Sequence, residues 1–245
     1  MLRLNQLYKL KPTRITSRLL PSLRAYHSIQ HDNALPLNSN SIEYKILNRA
    51  LEEYTPSLGF TDEAILKSTR ELGYNDSIIA LFNNGSKFLD FYLKKQRLEL
   101  LNFIESEEFK TLRSETDKVK YLVKTRLLLN APYVQHLNQL QGRLIFFENL
   151  EDSFSELHQL ADDVLFYSGD ASNQFDWYTK RFEVASKYVM LETFMSQDKS
   201  EGFAKTLELV DEKFAEGSAV EETMEFLKFN AISLVSLIKS QASRG

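Results

Sequence analysis

The sequence predicts an all-α chain, a helical bundle of about nine or ten helices. Three observations carry this. Only 8 Gly and 5 Pro occur among 245 residues, too few for a loop-rich all-β fold. From residue 42 onward every segment repeats its apolar residues at helical spacing. No run alternates strictly between apolar and polar, and no internal repeat is present. With 43% hydrophobic residues the chain can bury one core, or at most two.

The elements follow in order. Asn40 with Glu43 has the form of a capping box, and Ile46, Leu47, Ala50, Leu51 and Tyr54 line one face of the helix it opens. Thr61 can cap a second helix running to Leu72, with Gly73 to end it. A short third helix is predicted from Asp76 to Phe82, before Asn83-Asn84-Gly85. Ser86 opens a long helix to about Lys110, its stripe being Leu89, Tyr92, Leu93, Gln96, Leu100, Phe103 and Ile104. The next runs from Thr116 to Leu129 and stops before Pro132, near which another begins. Ser153 with Glu156 suggests a second capping box, for a helix ending at Gly169. Trp177, Arg181, Val184, Tyr188, Leu191 and Met195 recur along the following helix. Phe203, Leu207, Val210 and Phe214 recur along one more, ended by Gly217, and Ser218 with Glu221 caps the last.

Charge divides the chain. Residues 1–31 hold six bases and no acid, leaving 24 of the 30 bases against all 34 acids in the remainder. The Arg-rich, acid-free start has the composition of a mitochondrial transit peptide over 1–27. Lys11, Arg14 and Arg18 would share a helical face, and Arg24-Ala25-Tyr26 before His27-Ser28 reads as a processing site. Residues 28–41 read as a polar linker. The acidic body repels phosphate backbones, which argues against nucleic acid as a partner. No span approaches the ~20 apolar residues of a transmembrane helix.

Residues 42–85 order as helix, helix, glycine turn and short helix before the long helix. Through Leu58-Gly59-Phe60-Thr61, Ile65, Leu72-Gly73, Phe82 and Ser86-Lys87 they resemble the N-terminal helix-turn-helix of TetR-type repressors. The resemblance implies a third helix that enters the DNA major groove. Glu71 to Ser86 contains no Lys or Arg and carries Glu71 and Asp76, so the helix-turn-helix reads as vestigial.

Catalytic motifs are missing. There is no Cys, which removes disulfides, thiolate metal sites and Cys nucleophiles. Of four His, His27 and His31 flank the expected cleavage site, leaving His136 and His158. Glu156-Leu157-His158 is one residue short of the Glu-x-x-His that a di-iron bundle uses twice, and no zinc, nucleophile-elbow, P-loop or dinucleotide motif occurs. Asp162 and Asp163 are adjacent on a helix and point in different directions, so they read as a solvated face or a polar contact. The expectation is a non-enzyme without metal or cofactor. A deaminating enzyme using Asp162 or His136 and a TetR-like DNA-binding regulator are the alternatives.

The most informative block runs from Asp162-Asp163 through Tyr167, Gly169-Asp170 and Phe175 to Trp177-Tyr178 and Arg181. Trp177 is the only tryptophan, and Arg181, four residues on, shares its face. An aromatic beside an arginine is hot-spot composition. With Arg126-Leu127, Pro132-Tyr133, His136 and Gln197-Asp198, and with Leu237-Ile238-Lys239 near the end, this block resembles the coenzyme Q biosynthesis protein nine family, in its fungal form. The likeness runs from about residue 42 to the end and is dense over 121–200.

The resemblance implies a TetR-like homodimer, with residues 86–217 as the helical core, on the matrix side of the inner mitochondrial membrane. It would bind phospholipid and isoprenoid quinone precursors and serve the demethoxyubiquinone hydroxylase within the ubiquinone-synthesis complex. It maps the hydroxylase contact onto Leu127, Val164, Asp176, Trp177, Tyr178 and Arg181. At 164 the animal pattern has Met, and at Leu165-Phe166 it has Trp-His.

Residues 218–245 form a last, amphipathic element. Val220, Met224, Leu227, Ala231, Leu234, Val235 and Ile238 make its stripe, and Phe226, Phe229, Ile232 and Leu237 widen it. The candidate lipid or membrane contacts are Met224, Phe226, Leu227, Phe229, Ile232, Leu234 and Val235. No charge falls between Phe229 and Ile238, which suits an interfacial helix as well as a core or dimer helix.

Overall fold

The computed structural model describes residues 37–145, 149–172 and 174–215. Among them are ten α-helices and no strand. The expected transit peptide and the expected last helix, with Met224, Phe226, Leu227, Phe229, Ile232, Leu234 and Val235, lie outside the described residues, as does the helix stop at Gly217.

Helix α1 (Ile42–Arg49) passes through a π-helical stretch (Ala50–Tyr54) into α2 (Thr55–Leu58). The cap is Ser41, whose hydroxyl accepts from the Tyr44 amide, one residue later than the Asn40 box predicted. Ile46, Leu47, Ala50 and Leu51 are fully buried, as their spacing requires. Gly59 ends α2 at φ 72, and a Cβ there would stand 2.7 Å from Gln139 Oε1 and 2.9 Å from His136 Nδ1. Glycine is required at this position by both conformation and space.

Thr61 caps α3 (Asp62–Glu71), and Ser68 in that helix donates to the Ile46 carbonyl at 2.8 Å, locking it to α1. The predicted third helix is a 3-10 segment, Asp76–Gly85. Its order matches the helix-turn-helix expectation, but its tighter winding does not give an α-helical reading head.

Helix α4 (Ser86–Ile104) stops earlier than predicted. Ser106 caps a separate short α5 (Glu107–Thr111) by accepting from the Phe109 amide, so a local side chain cuts the long apolar pattern in two. Helix α6 (Glu115–Leu129) is the axis of the bundle and packs against α4 and against the three later helices Leu150–Ser168, Gln174–Met195 and Ala204–Lys213. A helix enclosed on several sides loses its one-sided pattern. A 3-10 turn (Ala131–His136) leads into α7 (Leu137–Leu144).

The antiparallel pair α8 (Leu150–Ser168) and α9 (Gln174–Met195) follows, joined at Gly169, which takes φ 94. Residue 150 opens α8, so the Ser153–Glu156 box is not a cap. Ser153 donates to the Asn149 carbonyl within the helix, and Glu156 is buried against another arginine. Val184, Tyr188, Leu191 and Met195 are all buried on the predicted stripe of α9. A 3-10 turn (Glu201–Phe203) leads into α10 (Ala204–Lys213). Phe60 ties the N-terminal lobe to the bundle, its ring 4.7 Å from Tyr92 and 5.9 Å from both Phe88 and Tyr133. No helix of the described residues is long and apolar enough to cross a membrane.

Candidate functional site

The signature block folds into the α8–α9 hairpin, and buried charge organises it. Arg181 is 3% exposed. Its Nε donates to Asp162 at 2.6 Å, and its Nη1 donates to Asp170 at 3.2 Å and to the Trp177 carbonyl at 3.1 Å. Its guanidinium carbon lies 3.8 Å from the Trp177 ring centroid, a cation–π contact. Trp177 is thereby held between Arg181 beneath it and the His158 ring, 5.8 Å away edge-on.

Asp170 is the second hub. Lys180 donates to it at 2.8 Å, and the Ser172 amide and hydroxyl cap it at 3.1 and 2.6 Å. Burial opposes ionisation of Asp170, but the bonds from Lys180 and Ser172 outweigh it and hold the carboxyl at about 2. Lys180 also reaches Glu115 of α6 at 3.0 Å. These residues flank an open groove of about 440 Å³ lined by Glu115, Ala171, Ser172, Asp176, Thr179 and Lys180.

Asp162 and Asp163 are both buried, which corrects the solvated-face reading and retains the polar-contact one. Being adjacent on one helix, they point to different neighbours. Asp162 meets Arg181 of α9, and Asp163 accepts from Arg97 of α4 at 2.9 Å. Arg97 also donates to Glu156 at 3.0 Å, so one buried guanidinium binds two carboxylates of α8. Burial pushes the Glu156 carboxyl up, against the pull of Arg97. Arg97 was missed by sequence reading. The available signal was a base on the buried phase of an apolar helix, beside Gln96 and three residues before Leu100.

The six residues mapped as a contact surface separate into two sets. Asp176 is exposed, Tyr178 is 68% exposed and Trp177 is half-buried. Leu127 and Val164 are core residues at 0% and 1% exposure, so they cannot offer side chains to a partner in this conformation. Both sit on the buried phase of their helices, within the hydrophobic core. Arg181 is also interior and supports the surface from behind. Two further apolar side chains of the hairpin are exposed, Phe182 at 55% and Phe154 at 58%, and no periodicity in the sequence marks them. His136 sits in the interior connection, 3.3 Å from the Pro56 carbonyl. Asp198, singled out with Gln197, accepts from Ser200 and Thr206 and closes the turn into α10.

The fold defines the class first. The chain superimposes on the crystal structure of a TetR transcriptional regulator from Nitrosomonas europaea with a TM-score of 0.56 at 16% identity, covering 69% of this chain and 94% of that one. That likeness establishes a TetR-like fold.

Sequence narrows the class. The COQ9 family model matches residues 150–228, which take in the α8–α9 hairpin. The chain is 31% identical to the mitochondrial ubiquinone biosynthesis protein coq9 of Schizosaccharomyces pombe, over 89% of this chain and 87% of the relative. It is 29% identical to its Saccharomyces cerevisiae counterpart, over 91% and 95%. Human COQ9 is 28% identical over 81% of this chain and 64% of its own length. The chain belongs to the COQ9 family of mitochondrial ubiquinone biosynthesis proteins.

Proposed function

We propose that the chain is a non-catalytic, homodimeric accessory protein of ubiquinone synthesis. It takes a polyprenylated quinone precursor from the matrix face of the inner membrane and presents it to the di-iron demethoxyubiquinone hydroxylase. The observation that carries this reading is the Asp176–Trp177–Tyr178 rim, exposed in part and locked by buried Arg181, in a chain of the COQ9 family. A rim pre-organised from below loses little entropy on docking, which is what a recognition surface needs. The physical logic of the lipid is equally direct. A long polyprenyl tail stays in the bilayer, and the apolar stripe of residues 218–242 suits attachment at that surface and to its phospholipid.

The hydroxylase contact is carried by Asp176, Trp177 and Tyr178, with Arg181 as the support behind Trp177 and Leu127 and Val164 in the core. Tyr178→Lys in the full chain tests it. The expected result is at least about a tenfold loss of hydroxylase capture with an unchanged melting temperature, since the side chain packs on little of its own protein. Undiminished capture would remove the rim from the interface. A regulator reading gains nothing from charge. The 3-10 segment Asp76–Gly85 has no base, and Arg49 and Arg70 beside it are tied to Glu71 and Asp76.

A further inference from the structure

Five aromatic side chains join into one exposed strip across the hairpin. Phe154 and His158 stand four apart on α8, share a face and are both exposed. The His158 ring meets Trp177 of α9 edge-on at 5.8 Å, and Trp177 meets Tyr178 edge-on at 4.7 Å. Tyr178 and Phe182 again stand four apart, on the outer face of α9. Phe154, Tyr178 and Phe182 are the three most exposed large hydrophobic side chains among the described residues, and all three fall on this strip. A lone exposed apolar residue needs no cause, but a connected run of them marks a surface that is covered in use.

The charge around the strip indicates what covers it. Residues 150–195 hold nine acids and three bases. Helix α8 has no Lys or Arg at all. All three bases are committed within the chain: Lys180 to Glu115 and Asp170, Arg181 to Asp162 and Asp170, and Lys187 to Glu183 at 2.6 Å. Glu151 and Asp152, just before Phe154, and Asp176, just before Trp177, are exposed and have no cationic partner among the described residues. The strip is therefore aromatic inside an acidic frame. A second copy of this face would bring acid against acid, and an anionic phospholipid surface would be repelled in the same way.

We infer that the strip is the docking site for a basic, amphipathic helix of the hydroxylase. The inference rests on the accessory-protein reading above and names the chemistry of the partner's contact. Apolar residues one turn apart on that helix cover Phe154 and Phe182, beyond the rim, and its bases pair with Glu151, Asp152 and Asp176. Arginine suits those positions better than lysine, because a planar guanidinium both lies on aromatic rings and bonds carboxylates.

Equilibrium binding of the full-length chain to the full-length hydroxylase in neutral detergent, followed across salt, tests the docking site. The wild-type dissociation constant should rise about tenfold or more between about 50 mM and about 500 mM NaCl. At fixed salt Phe182→Ser should weaken binding about tenfold and Phe154→Ser about threefold. Both variants should keep their melting temperature, since the rings are exposed. Glu151→Gln, Asp152→Asn and Asp176→Asn together should flatten the salt dependence. Undiminished binding in both Phe variants, or wild-type binding indifferent to salt, overturns the inference and leaves the Asp176–Trp177–Tyr178 rim as the contact. A wild-type chain that binds no hydroxylase at any salt overturns the accessory-protein reading with it. Phe182→Ser that keeps hydroxylase binding but loses self-association gives the strip to a second copy. If it loses pelleting with phosphatidylglycerol vesicles instead, the strip belongs to the membrane. Either result overturns the docking site.

Discussion

The N-terminal lobe and the α8–α9 hairpin are both tied by arginine–carboxylate pairs, and the pairs differ in what they can do. In the lobe, Arg49–Glu71 has side chains 40% and 44% exposed, and Arg70–Asp76 has 63% and 48%. Hydrogen bonds from Arg49 and Tyr54 hold Glu71 at about 2, yet water screens the pair and little stability follows. At the hairpin, Arg97 of α4 and its two α8 carboxylates are all within 4% exposure, and Arg181, Asp162 and Asp170 are within 6%. Buried charges of this kind are costly to unpair, so each fixes its neighbour's position. The lesson is that similar chemistry neutralises a surface in one region and builds a rigid platform in the other. The lobe has the element order of a DNA reader and spends its arginines on its own acids. Arg181 of the hairpin holds Trp177 in place, on which Tyr178 packs edge-on, and Arg97 of α4 fixes α8.

The largest expected effect tests the buried side. Arg97→Met leaves Glu156 and Asp163 without their counterion and should cost about 3–5 kcal/mol in chemical denaturation. Adding Glu156→Gln and Asp163→Leu should recover most of that loss. A cost below about 1 kcal/mol for Arg97→Met would erase the contrast between the two regions.

The next effect is on pH. Asp170 has a folded-state pKa of about 2, below its ordinary 3.8, so its contribution is present above about pH 4 and is lost as pH falls toward 2. Glu156, raised by burial, runs in the opposite sense and gains as pH falls. Asp170→Asn should therefore be less stable at pH 7 and show a shallower acid loss between about pH 4.5 and 2.5, by up to about 2 kcal/mol. Parallel stability–pH curves for the variant and the wild type would contradict the assignment.

The smallest effect tests the exposed side. Arg70→Ala should change stability by less than about 1 kcal/mol, and about 0.5 M salt should shrink that further. A larger loss would mean that the lobe's pairs carry structure as the hairpin's do.

Much of the fold could be read from residue order, because a helix is a local object. The buried phase of α1 and the stripe Val184, Tyr188, Leu191 and Met195 of α9 followed from a 3.6-residue period. So did Gly169 as the hairpin turn. The errors came where a side chain had two possible partners. Ser153 and Glu156 have capping-box spacing, but Glu156 is claimed by Arg97, 59 residues away. Asn40 lost the first cap to its neighbour Ser41, and Ser106 cut the long helix because its hydroxyl could accept the Phe109 amide.

By itself the sequence determined an all-α chain with a bare third helix-turn-helix segment, no thiol chemistry and an aromatic–arginine block of the COQ9 family. Only tertiary structure decided which members of that block face solvent. Leu127, Val164 and Arg181 turn inward, while Asp176 and Tyr178 turn out. It alone brought Arg97 between two α8 carboxylates and set His158 of α8 against Trp177 of α9. The reason is that helical period records which side of a helix is apolar, a property of neighbours in sequence. Partner choice among buried charges depends on groups tens of residues apart, which only packing brings within hydrogen-bond reach.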